Sequence, residues 1–237
     1  MSPTGSAVPV VTRDGTALAV DVWLPEGADE RSRVGAVLRA TRYWRAAVDS
    51  ADESATAGEI ELFTSRGLAL VTIDVRGTGA SRGRWDGPWS DTELADLADV
   101  VAWVVSQPWS NGRVGAHGVS YDGNTAEMLA SLGSVHVRAV SPRFADYDPW
   151  AHLSFPGGVL LEDFVARWAA ETLALDLDDP SVAASSPQEA AELREWIGHP
   201  KPLDIDVDGE LMQAALADHR ANLDLWDAAS QLVDYDD

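Results

Sequence analysis

The chain has 237 residues, no cysteine and a formal net charge of −22 at pH 7. Without cysteine, these residues hold no disulfide, no thiol nucleophile and no cysteine-ligated zinc, and the acidity speaks against binding nucleic acid or anionic membranes, which need basic patches. A hydrophobic fraction of 46% with 24% charged residues is that of a globular chain with one sizeable α/β core.

In chain order, "AVPVVTRDGTALAVDVWLPEG" reads as two strands joined at Asp14-Gly15, a dipeptide suited to a tight turn. "VGAVLRATRYW" (34–44) begins as an apolar strand and ends in larger polar and aromatic groups. "EIELFTSRG" predicts a short helix closed by Gly67, and "LALVTIDVRG" (68–77) a buried strand. After a loop at 77–89, Ser90 and Glu93 fit a capping box opening a helix with the apolar stripe Leu94, Leu97, Val101 and Val104. "GRVGAHGVS" is a further strand, a helix runs from about Tyr121 to Gly133, and "VRAVSP" (137–142) completes another strand. Strands alternating with helices imply a mostly parallel sheet covered on both faces.

Beyond Tyr147 the strand signal stops. Leu161, Phe164, Val165 and Trp168 fall at helical spacing, Ser186-Pro187 and Gly198 bracket a second helix, and "GELMQAALADHRANLDLW" is a third candidate. The charge divides at the same place: residues 1–150 carry a net −7 and residues 151–237 a net −15. The expected organisation is therefore a core over 1–147 and a helical cap over 148–237. No run is long enough to span a membrane, and "MSPTGSAVPVV" lacks the basic start and apolar stretch of a secretory signal, so a cytoplasmic location is expected.

Chemistry concentrates at "GAHGVSYDG" (115–123), where Gly118-Val119-Ser120-Tyr121-Asp122-Gly123 contains Gly-Xaa-Ser-Xaa-Gly. Chance alone places that pattern in roughly one chain in ten of this length, so its context matters more than the motif. A strand precedes it and a helix follows, the arrangement of a nucleophile elbow, in which a sharp turn holds the serine in a strained conformation and the helix N-terminus favours negative charge.

Three segments, "RDGTALAVDVWLP" (13–25), "DVRGTGASRG" (74–83) and "GVSYDG" (118–123), together with "PGGVLLEDFVARW" (156–168), resemble the front of the cocaine esterase / X-prolyl dipeptidyl-peptidase family of α/β-hydrolases. The resemblance covers most of the chain. It implies an α/β-hydrolase fold with Ser120 as nucleophile, and an oxyanion hole made by the Tyr43 hydroxyl and the Tyr121 backbone N–H. Trp168 matches a cap tryptophan that borders the acyl pocket. A proline usually precedes the oxyanion tyrosine in this family; Arg42 stands here. The expected substrate is a small-molecule ester or peptide, with no cofactor and no metal.

A serine nucleophile needs a base, itself oriented by an acid. The resemblance places both after the cap, whereas this sequence ends "QLVDYDD". Of the five histidines, His117 reads as a packed strand residue, and His136, His152, His199 and His219 as structural or solvent-facing. Asp234, Asp236 and Asp237 read as frayed terminal charges. The expectation is an incomplete hydrolase fold with 137–141 as an edge strand. The leading expectation is a serine hydrolase acting on carboxylic esters or X-prolyl peptide bonds through a Ser120 acyl-enzyme; the alternative is a truncated, non-catalytic remnant or one half of a split hydrolase, with a second chain supplying Asp and His. "GTGASRG" (77–83) is not a dinucleotide site, because Arg82 stands where a third glycine is due, and no spacing suits a metal.

Overall fold

The computed structural model describes residues 4–50 and 54–225. The turn at Asp14-Gly15, with Gly15 at φ +90°, joins β1 (Thr4–Val11) to β2 (Ala17–Leu24). There follow β3 (Val34–Thr41), a two-residue β4 (Ala47–Val48), α1 (Ser54–Thr64), β5 (Leu68–Asp74), α2 (Asp91–Ser106), β6 (Ser110–Val119), α3 (Tyr121–Ser131) and β7 (Val137–Arg143). Six strands form one sheet in the order β1-β2-β5-β3-β6-β7. The β1–β2 and β2–β5 pairs are antiparallel, while β5, β3, β6 and β7 run parallel.

Connections from β3 lead one way along the sheet, to β5, and connections from β6 lead the other way, to β7. Right-handed crossovers then put α1 on one face and α2 and α3 on the other. The core between the sheet and α2–α3 is aliphatic, built on Leu38, Val71, Ile73, Val100, Val104 and Leu129. Strands β2 and β5 are buried almost throughout, as central strands with covered faces must be. Strand β7 pairs only with β6 among the described residues, and its side chains are exposed or half-buried.

Past β7 the chain makes a wide turn at Trp150–Ser154 and a tight one at Pro156–Gly158, then forms α4 (Glu162–Asp176), α5 (Pro187–Ile197), β8 (His199–Pro200) and α6 (Glu210–His219). Ser186 caps α5 and Gly198 ends it at φ +66°. That turn lays β8 antiparallel against β4, so a strand does occur beyond Tyr147, too short to leave a periodic signal.

Ion pairs tie α4, the stretch after β3 and the residue after β8 into this core. Arg42, just after β3, donates to Asp176 at the end of α4 at 2.9 and 3.1 Å, with both side chains fully buried. Arg45 reaches Asp74 at 2.6 Å and Asp21 at 2.9 Å, and Lys201 joins Asp21 at 2.8 Å. No helix among the described residues is long and apolar enough to cross a membrane. The terminal aspartates Asp234, Asp236 and Asp237 lie outside the described residues.

Candidate active site

Adjacent parallel strands whose connections depart in opposite directions leave a crevice at their carboxyl ends, the usual ligand position in α/β sheets. Here those strands are β3 and β6. Tyr43 follows the first and Ser120 the second.

Ser120 occupies the single-residue bend between β6 and α3 at φ +58°, ψ −125°, a conformation costly to any residue with a Cβ. Two glycines permit it. A Cβ on Gly118 would lie 2.2 Å from the Asp122 carbonyl oxygen, and one on Gly123 would lie 2.5 Å from the Arg143 carbonyl oxygen. The bend is pinned to β7 by the Ser120 N–H, which donates to the Arg143 carbonyl at 3.0 Å. The side chain of Ser120 is exposed. Asp122, two residues on, is no partner for it: its carboxylate meets Arg39 at 3.5 Å, and burial pushes it up to about 6.

Ser120, Tyr43, Tyr121 and Trp168 line one pocket of about 180 Å³, with Trp89, Leu153, Phe164 and Val165 as its apolar walls. The Trp168 indole N–H donates to the Tyr43 hydroxyl at 2.9 Å, which leaves the tyrosine proton for another acceptor. Burial raises the Tyr43 hydroxyl above its ordinary range, so it is a donor at neutral pH. Tyr121 opens α3, where a backbone N–H has no intrahelical acceptor. Arg42 takes the place of proline by turning away into its buried pair with Asp176, and its guanidinium stacks 4.4 Å from the Trp85 ring.

One residue of this neighbourhood escapes the sequence reading. Ser90 accepts from the Glu93 N–H at 3.1 Å, which is half of the expected capping box. The Glu93 carboxylate does not return to Ser90. It turns inward, where Oε2 accepts the Tyr121 hydroxyl at 2.6 Å and the Trp89 N–H at 3.2 Å. Burial pushes Glu93 up to about 7, and burial beside Glu93 lifts the Tyr121 hydroxyl well above the ordinary phenol range. The only signal in the sequence was an acid on the buried side of the α2 stripe.

No histidine is among the described residues lining the pocket. His117 contacts Glu59 at 2.9 Å and packs on Phe63, His136 meets the Gly112 carbonyl, His199 pairs with Asp178 at 2.8 Å, and buried His219 lies between the carbonyls of Asp176 and Ser81. His152 is exposed. Among the described residues no three His, Cys, Asp or Glu side chains converge as a metal site would require.

A serine bend between strand and helix, at the crevice of a mostly parallel sheet, defines an α/β-hydrolase. The chain belongs to the X-Pro dipeptidyl-peptidase (S15) family, which matches residues 14–237. It is 34% identical over 245 residues to a Mycobacterium tuberculosis protein provisionally named a serine esterase, covering 96% of this chain and 37% of that one. It is 36% identical over 169 residues to cocaine esterase of a Rhodococcus species, covering 70% of this chain and 28% of the esterase. A CocE/NonD family hydrolase from Staphylococcus aureus superposes with a TM-score of 0.62 at 23% identity, over 85% of this chain and 38% of that one. An alpha-amino acid ester hydrolase gives 0.52 at 26% identity, over 65% and 27%. The chain thus spans between 27% and 38% of the length of these relatives.

Proposed function

We propose that Ser120 is the nucleophile of a serine hydrolase acting on carboxylic esters or X-prolyl peptide bonds through an acyl-enzyme. The observation that carries this reading is the convergence of Ser120, Tyr43 and Tyr121 on one pocket. Ser120 Oγ attacks the carbonyl carbon, and the negative charge that develops on the carbonyl oxygen is met by the Tyr43 O–H and the Tyr121 N–H. Each such donor contributes about 3 kcal/mol to lowering the barrier. The serine proton passes to a base and then to the departing alcohol or amine, after which water releases the acyl group. Trp168 serves twice in this reading, as a pocket wall and as the donor that orients Tyr43.

The base is not supplied by the described lining residues, which favours a second element to the proposal. Asp and His come from further residues, either of a longer polypeptide or of a second chain. The test uses a p-nitrophenyl ester with the chain alone and with the matching C-terminal segment of the mycobacterial relative added. A p-nitrophenol burst that Ser120→Ala abolishes supports the nucleophile, and turnover that appears only with the added segment supports the divided machinery. Identical background release from native chain and Ser120→Ala under both conditions would overturn the proposal in favour of a non-catalytic module.

A further inference from the structure

Tyr121 is held at every side. Its ring stacks on Trp89 at 4.9 Å, its carbonyl accepts the Trp89 indole N–H at 3.2 Å, and its hydroxyl accepts the Trp85 indole N–H at 3.4 Å while donating to Glu93 at 2.6 Å. Of these groups only Glu93 is a carboxylic acid, and it is 3% exposed. Its second oxygen, Oε1, is buried with no hydrogen-bond partner among the described residues. Placing a carboxyl there costs stability, since an apolar side chain would avoid both the desolvation and the orphaned oxygen. Helix capping does not account for it, because the side chain bypasses Ser90 in favour of Trp89 and Tyr121.

We infer that Glu93 is a positioning residue: its Oε2, gripping the Tyr121 hydroxyl and the Trp89 N–H together, fixes the Tyr121 backbone N–H beside the strained Ser120. This rests on the Ser120 hydrolase reading for its catalytic meaning, though the grip itself is measurable without catalysis. The groups that face Glu93 are the Tyr121 hydroxyl from α3, Arg42 after β3, and Asp86 with the Trp89 N–H from the loop before α2. Arg42 favours the ionised form, whereas burial and Asp86 favour the neutral one. Ionisation strengthens the hydrogen bond from Tyr121, so the grip tightens as pH rises through neutrality.

The test has two arms. In the full chain labelled with ¹⁵N-tyrosine, the Tyr121 amide resonance, assigned by its loss in Tyr121→Phe, is followed from pH 5 to 9. The expected result is a shift through a transition near neutrality that Glu93→Gln abolishes, with amide exchange about tenfold faster in Glu93→Ala. In the second arm, with the matching C-terminal segment of the mycobacterial relative added, acylation by an activated ester is measured per fluorophosphonate-titratable Ser120. Glu93→Ala should lower kcat about tenfold with KM unchanged, and Glu93→Gln should recover most of the loss. A Tyr121 amide indifferent to both substitutions overturns the inference, as does native kcat per titrated site in Glu93→Ala. Absent labelling of native Ser120 would refute the hydrolase reading alone, since the amide arm stands without it.

Discussion

Tyr43 and Glu93 are the two side chains whose chemistry can be altered with least change of shape. Tyr43→Phe keeps the ring against Tyr121, 5.9 Å away, and removes only the hydroxyl. Acylation should then fall about 100-fold with KM little changed, as for loss of one oxyanion donor; an unchanged rate would remove Tyr43 from the mechanism. Glu93 makes a prediction about stability. Its carboxyl is raised from 4.5 when unfolded to about 7 when folded, so between those values the folded chain holds a proton that the unfolded chain has lost. The contribution is fully present below about 4.5 and is lost as pH rises through 7, by roughly 3 kcal/mol. Denaturant titrations of native protein and Glu93→Gln should therefore diverge across that window, the variant gaining relative stability, and parallel curves would contradict the buried-acid account. Ser120, Tyr43, Tyr121 and Trp168 could all be picked out in the sequence, because a motif or a resemblance marks each position. Glu93 could not: an acid three residues after Ser90 satisfies a local capping pattern, and its partner Tyr121 is 28 residues away.

At the scale of elements, the bend between β6 and α3 depends on missing side chains. Gly123→Ala would push a methyl group to 2.5 Å from the Arg143 carbonyl, which also accepts the Ser120 N–H. We expect a loss of about 1–3 kcal/mol and slower Ser120 labelling together, read by thermal unfolding and by adduct formation; a stable, normally reactive variant would mean the bend is not so constrained. The attachment of α4 is a separate matter. Asp176 accepts from Arg42 and from Asn222 in a fully buried site, so Asp176→Ala should cost about 3 kcal/mol. Helices α2 and α5 were readable from their caps and α4 from its apolar spacing. The β4–β8 ribbon was not, because two residues carry no period, and its pairing joins positions some 150 residues apart through the turn at Gly198.

For the whole molecule, alternation of strands and helices foretold a mostly parallel sheet, but not that β5 would insert between β2 and β3. That order depends on long-range pairing, and it is what creates the crevice where Tyr43 and Ser120 meet. The net charge of −22 acts on the molecule as a whole. Self-repulsion is screened by salt, whereas the buried pairs around Arg42 and Arg45 are not, so raising salt from about 0.05 to 0.5 M should raise Tm by about 2–4 °C. A fall in Tm would show that surface ion pairs outweigh repulsion. Family membership and fold account for the scaffold, and the proposed chemistry reduces to whether the oxygen of Ser120 reacts. The most direct measurement is the intact mass and peptide map after fluorophosphonate treatment of the chain with the matching C-terminal segment of the mycobacterial relative added. One adduct per chain, on Ser120, and none in Ser120→Ala is the expected result; an unmodified chain, or an adduct on another side chain, would contradict the assignment of Ser120 as nucleophile.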